Sequence, residues 1–393
     1  MRKLTLILLV FLTLLFNQAC EEDLPIPSCE ESIQGLHLNE YKILGSHNSY
    51  RLKTPDVIME LMRSQSQLLP EWFDPGAWDY SHESIRDQLE NYGIRSLELD
   101  VYRDPEGGLF YNRMAYALLG MDVASYEPAL KESGLKVLHF PDLDFMTHYL
   151  TFKDALRDIK SWSSANPNHL PITILVEAKE DSPDLIVPGM GLTSTIPFRL
   201  DAVEEIEDEI SEVFDGDMDH IIRPDDVRKA FPSLRVAVMC NAWPTIEESR
   251  GKLIFVLMAS EVVRFNYVKD HPSLWGRNMF VFAEEWQDEA AFIKIDEPIG
   301  NFNEIRDYVN QGFIVRTQAD ANTVEARFGN FYRRDRAMES GAQIICTDYY
   351  LPDPRSTYSP EWSNYFVDFE SGRIALVNHL NAPSIDDQCE IGE

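Results

Sequence analysis

The chain has 393 residues with 35 basic and 66 acidic side chains, a net charge of −31. Hydrophobic residues make up 44% and charged residues 26%, an ordinary globular balance that argues against wholesale disorder. So acidic a surface excludes nucleic-acid binding, which needs a basic footprint, and disfavours adsorption on anionic lipid. Any anion bound here must be met by a local cation, either a few Lys and Arg residues or a metal ion.

The chain opens on a targeting signal. Arg2 and Lys3 precede an apolar run from Leu4 to Phe16, too short to span a bilayer. Ala19-Cys20 resembles the end of a lipobox, which makes residues 1–19 a lipoprotein signal peptide and Cys20 the acylated new N-terminus. Residues 20–35 then read as a tether. The expected location is the bacterial outer membrane, periplasmic or surface-exposed, with the lipid chains as membrane anchor. Cleavage without lipidation, giving a soluble secreted protein, is the alternative. With Cys20 lipidated, Cys29, Cys240, Cys346 and Cys389 remain in an oxidising compartment. A closed barrel brings its ends together, so a Cys29–Cys389 pair is expected, although four cysteines allow three connectivities.

Short β-branched or aliphatic runs follow at Tyr41–Leu44, Ile94–Val101, Lys136–Phe140, Ile172–Ala178, Lys252–Met258, Met279–Ala283, Gly312–Thr317 and Gln343–Thr347. Helical periodicity separates several of them, as in Phe152–Trp162, Asp201–Phe214, Glu304–Asn310 and Thr323–Ser340. Eight strands alternating with helices predict one α/β domain, a TIM-type (β/α)8 barrel over residues 36–352. It is expected to carry inserted loops and some distortion. Residues 353–393 form an extension packing on it. An open doubly wound sheet lacks support, because no G-x-G-x-x-G follows the first strand.

In such a barrel the chemistry sits at the C-terminal strand ends. The first strand runs into Gly45-Ser46-His47-Asn48-Ser49-Tyr50. In the second, period-2 alternation puts Glu98 and Asp100 on one face, a costly juxtaposition unless something binds them. The third run leads to His139, and the fourth ends with Glu177 and Lys179 on one face. Asn48, Glu98, Asp100 and Glu177 make a hard oxygen set suited to Ca2+; Mg2+ prefers a tighter octahedron with fewer protein ligands. His47 and His139 then read as a base and an acid flanking the metal.

These segments together resemble phosphatidylinositol-specific phospholipase C, in its secreted, Ca2+-dependent bacterial branch. The resemblance rests on Gly45–Tyr50, on Gln88-Leu89 through Gly93–Val101, and on Val137-Leu138-His139 with Asp142–Phe145. Trp243-Pro244-Thr245, Arg250-Gly251-Lys252, Val315-Arg316-Thr317 with Ala319-Asp320, Glu325-Ala326-Arg327, and Ser340 to Tyr349 extend it. It implies that His47 and His139 are the catalytic histidines and that Asn48, Glu98, Asp100 and Glu177 are the Ca2+ ligands. Lys179 matches a basic residue on the inositol head group or its phosphate, and Arg316, ending the seventh strand, is a second candidate. The implied reaction is attack of the inositol 2-hydroxyl on phosphorus in phosphatidylinositol or glycerophosphoinositol. The rival readings are a glycerophosphodiester phosphodiesterase, which usually opens on H-R-G, and a non-catalytic phosphoinositol-binding lipoprotein.

Overall fold

A computed structural model describes residues 28–386 and 388–393; Cys20 and residues 1–19 lie outside the described residues. Ten strands form one sheet: β1 Tyr41–Ser46, β2 Ile94–Tyr102, β3 Lys136–Val137, β4 Ile172–Ala178, β5 Leu253–Met258, β6 Phe280–Val281, β7 Phe292–Lys294, β8 Ile314–Gln318, β9 Ile344–Thr347 and β10 Ala375–Val377. Eight of them run side by side in the order β6-β5-β4-β2-β1-β9-β8-β7, every neighbouring pair parallel. A parallel bridge between Phe282 and Phe292 brings the two edges together. The result is a TIM-type barrel, distorted at the β6–β7 seam, where no helix separates the two strands among the described residues.

The run Lys136–Phe140 is not a barrel strand. Only Lys136–Val137 is extended, and it pairs antiparallel with Val101 and Tyr102. The cause is the connection: between β2 and β3 lie only short 3-10 turns, Met114–Leu119 and Pro128–Lys131. A parallel return needs a crossover of a dozen or more residues, usually helical, so the chain folds back on β2 instead. The strand that completes the eight is Phe292–Lys294, which the hydrophobic runs do not single out. The expected helix Thr323–Ser340 is two helices, Val324–Phe328 and Tyr332–Ser340, parted at Gly329, whose φ of +61° suits a residue without Cβ.

Local sequence explains the outer helices. In Phe152–Ala165 the residues Phe152, Ala155, Leu156, Ile159 and Trp162 recur at helical spacing and all are buried. Thr151 caps its start, its hydroxyl accepting from the Asp154 N–H at 3.1 Å. At the N-terminal strand ends the helix Cys29–Gln34 is tied to the chain's C-terminus by a disulfide between Cys29 and Cys389, with 5.2 Å between their Cα atoms. β10 adds antiparallel to β1, so residues beyond 353 cover the barrel's side and its lower end. Among the described residues no helix is long and apolar enough to cross a membrane.

Candidate active site

β1 delivers the first histidine. A Cβ on Gly45 would lie 2.9 Å from the Ser96 Cβ and 3.0 Å from the Cys346 Sγ, so only glycine lets β1 pass between β2 and β9 here. The chain then turns at Asn48, whose φ of +51° is a conformation asparagine tolerates better than most residues. His47 Nδ1 lies 3.0 Å from Asp348 Oδ1, just past β9, and its Nε2 lies 3.7 Å from Glu98 Oε1. Burial disfavours charge on the ring, but the Asp348 and Glu98 carboxylates outweigh it and raise its pKa to about 9. The His47 side chain keeps 30% of its exposure, so the ring is reachable from the mouth.

β2 and β4 carry the acidic cluster. Asp100 is in register with Glu177 across the two strands, and Glu98 lies two residues before Asp100 on the same face. One ligand atom from each of Glu98, Asp100 and Glu177 falls within 4.8 Å of the others. Both oxygens of Asp100 are buried and accept no hydrogen bond. Burial, then Glu177, push its carboxyl pKa well above the usual range. A buried carboxylate whose oxygens accept no hydrogen bond, with the Lys179 ammonium only as near as 3.8 Å, is costly, and a bound cation would remove that cost. Three carboxylates are the donor chemistry Ca2+ takes, so the residues present fit this ion.

Two cations flank the cluster differently. Lys179 Nζ lies 3.4 Å from Glu177 Oε1, 3.8 Å from Asp100 Oδ2 and 3.1 Å from Asp181 Oδ2. Arg316 is 1% exposed; its Nη2 donates to Glu98 Oε2 at 2.8 Å and its Nη1 to Asp296. The structure therefore places Arg316 beneath the cluster, braced against Glu98, and Lys179 beside it.

His139 comes from the loop after β3. Its Nδ1 lies 2.7 Å from Asp144 Oδ2, and Trp78 packs edge-on against the ring at 5.2 Å. Burial lowers the His139 pKa, and Asp144 offsets that only in part. Asp144 is itself fully buried. Burial opposes its charge, but Arg51 and His139 outweigh it and hold its pKa down to about 2.

His47, Glu98, Asp100, Glu177, Lys179 and Arg316 thus form one contact network. Asn48 joins it directly, its Nδ2 3.4 Å from His47 Nε2, and through Tyr80, to whose hydroxyl the same Nδ2 donates at 3.3 Å. His139 reaches it only indirectly. Sequence reasoning left several supporting residues without a role. Asp348, Asp144, Arg51 and Tyr80 hold the two histidines. Asp320, pushed up to about 7 chiefly by burial, accepts the Asp348 N–H at 2.8 Å. His82, with no sequence signal of its own, is buried and its Nε2 meets the His47 carbonyl oxygen at 2.7 Å. The nearest signal was adjacency: Asp144 follows His139 by five residues, and Asp348 directly follows a strand.

A parallel barrel with an oxygen-donor metal cluster, two carboxylate-held histidines and a lysine at one mouth defines a class, the metal-dependent phosphodiesterases. A family model described as phosphoinositide phospholipase C, Ca2+-dependent, matches residues 36–379. The chain therefore belongs to the Ca2+-dependent phosphoinositide phospholipase C family and is a phosphoric diester hydrolase with Ca2+ as its metal. Its fold is similar to a Ca2+-dependent phosphoinositol-specific phospholipase C from a Gram-negative Pseudomonas species, at TM-score 0.53 and 14% identity, covering 88% of this chain and 96% of that one. The myoinositol complex of the same kind of enzyme gives TM-score 0.52 with the same identity and coverage. A Ca2+-dependent enzyme from Streptomyces antibioticus gives TM-score 0.48 and 15% identity, covering 80% of this chain and 95% of that one. Comparison with curated proteins returns no significant relative.

Proposed function

We propose that the mouth of this barrel cleaves phosphatidylinositol, or a related inositol phospholipid, by attack of the inositol 2-hydroxyl on phosphorus. The observation that carries this reading is Asp100, buried and without a hydrogen bond beside Glu98 and Glu177, together with the two histidine–aspartate pairs. Asn48, Glu98, Asp100 and Glu177 are the Ca2+ ligands. Bound there, Ca2+ supplies positive charge to a phosphate oxygen and acidifies the attacking hydroxyl.

With a cation held by Glu98, the pull of that carboxylate on the His47 ring is offset, and His47, held at Nδ1 by Asp348, then accepts the proton of the inositol 2-hydroxyl at Nε2. The freed oxygen attacks phosphorus in line, forming a cyclic 1,2-phosphate. Asp144 keeps the proton of His139 on Nδ1, so the protonated ring delivers its second proton from Nε2 to the departing diacylglycerol oxygen. Lys179 holds a free phosphate oxygen; Arg316 fixes Glu98 from below. A lipid substrate also suits the rim: Leu68, Trp72, Met121, Leu185, Met190 and Phe328 are exposed large apolar residues on segments that leave the C-terminal strand ends.

Export on residues 1–19, with lipid attached at Cys20, would place the enzyme at the outer membrane and its barrel, residues 36–352, beside its substrate. Phosphorus NMR of the purified protein with phosphatidylinositol in detergent, with Ca2+ and then with excess chelator, tests the reading. A cyclic or open inositol phosphate signal that needs Ca2+ is expected. Cleavage of glycerophosphodiesters alone would replace the proposed substrate, and mass spectrometry of the mature N-terminus reads the lipid.

A further inference from the structure

The sequence calls attention to the histidines, yet the most heavily engaged side chain near them is an arginine that the proposed reaction does not use. Arg51, four residues after His47, is 0% exposed. Its Nε donates to Asp144 Oδ2 at 2.8 Å, its Nη1 to the Tyr80 carbonyl oxygen at 2.7 Å, and its Nη2 to the Trp78 carbonyl oxygen. The guanidinium carbon also stands 4.1 Å from the centre of the Tyr80 ring.

Each of these partners leads to a different part of the site. Asp144 uses the same Oδ2 to hold His139 Nδ1, and Trp78 lays its ring against His139. Tyr80 carries its hydroxyl to 3.3 Å from Asn48 Nδ2 and 3.4 Å from His47 Nδ1. The backbone repeats the link, since the Arg51 carbonyl oxygen accepts the His82 N–H at 2.9 Å and His82 holds the His47 carbonyl. Burying a guanidinium costs several kcal/mol unless it is fully paired, which is more than is needed to fill a gap between loops.

We propose that Arg51 is a positioning residue that sets both histidines at once, two prongs through Asp144 and Trp78 to His139 and the third through Tyr80 to His47. The planar fork matters. Three acceptors at fixed angles match a planar guanidinium, whereas a lysine ammonium concentrates its donors on one nitrogen and cannot reproduce the fork. The proposal rests on the catalytic roles given above to His47 and His139.

Its test is Arg51→Lys, alone and in the Asp144→Asn background, with Ca2+ affinity by calorimetry, kcat and KM on phosphatidylinositol, and nitrogen-15 spectra of labelled histidines. The expected result for Arg51→Lys is a fall in kcat of about 100-fold, the size of a displaced acid–base group, with KM and Ca2+ affinity within about threefold. The His139 spectrum should pass from a single Nδ1–H tautomer to a mixture. In the Asp144→Asn background Arg51→Lys should still cost about tenfold, through the limb that reaches His47. An unchanged tautomer with kcat within threefold overturns the proposal, and no further loss in the double variant overturns its claim on His47. Should Arg51→Lys not fold, Asp144→Asn alone must show the tautomer mixture and the kcat loss, and its failure to do so has the same force. The spectra need no substrate, so they judge the geometry even where the wild type leaves phosphatidylinositol intact, a result that would count against the proposed reaction instead.

Discussion

The two ends of β2 show how differently one strand can treat its charges. At the lower end Arg95 is 2% exposed, and all its donor nitrogens are used. Nε and Nη2 meet the carboxylate of Glu393, and Nη1 donates to the Leu89 and Ile94 carbonyl oxygens at 2.9 and 2.8 Å. The same Glu393 accepts the Leu170 N–H at 2.7 Å, and the disulfide through Cys389 holds the segment in place. Five residues further along β2, Asp100 is as deeply buried and has no hydrogen bond on either oxygen. The lower end is satisfied and stapled; the mouth is left in electrostatic debt. What distinguishes the site from the core here is the absence of an internal hydrogen bond to Asp100, which leaves its oxygens open to a partner from outside.

The comparison breaks most sharply at the mouth. His139→Ala should lower kcat about 1,000-fold, within the range for losing an acid–base group, while circular dichroism and Ca2+ titration stay as in the wild type. An activity within tenfold of the wild type would remove His139 from its role. At the other end the expected effect is on stability alone. Cys389→Ser opens a constraint between residues 360 apart and should cost about 2–5 kcal/mol in denaturant unfolding, with kcat unchanged.

Asp100→Asn separates the two ends in a single variant. With Ca2+ at about 100 times its dissociation constant the wild type should gain about 2.7 kcal/mol, and the variant should gain almost none. In chelator the order reverses: the variant should melt no lower than the wild type, because Asn relieves a carboxyl that Glu98 and Glu177 crowd, that no hydrogen bond satisfies and that Lys179 meets only at 3.8 Å. A variant that melts well below the wild type in chelator would show that the Lys179 contact outweighs this crowding in the metal-free protein. The smallest change is Glu393→Gln, which keeps the shape but removes the charge facing Arg95. It should cost about 1 kcal/mol, read as a lower melting temperature at unchanged kcat, because the pair is only partly shielded from water.

Much of the mouth is legible in the chain. Period-2 alternation alone puts Glu98 and Asp100 together, and the position of Glu177 near the end of a continuous apolar strand brings a third carboxylate. The supports of the histidines are not legible in the same way. Asp348 lies 301 residues from His47, and Arg51 lies 93 from Asp144. No periodicity relates such pairs, since parallel strands become neighbours only when the barrel closes. Arg316 looks like a phosphate ligand if its strand ends there, but the strand runs on from Ile314 to Gln318 with Arg316 at its centre. Whether it points to the mouth or into the packed layer beneath Glu98 depends on the tilt and stagger of strands around the whole ring.

The sequence by itself determined the elements with strong local cause: the alternating carboxylates, the glycine and asparagine of the turn after β1, the apolar faces of the helices, and the strand–helix rhythm that demands a parallel barrel. Tertiary structure decided the rest. It folded Lys136–Val137 back antiparallel because the preceding connection holds no crossover helix, and it drew Phe292–Lys294 into the ring to meet the edge of β6. It also chose which buried charges receive partners. Local patterns are set by interactions between residues a few positions apart, whereas partnership between distant side chains exists only once the chain has paid the entropy of closing the barrel.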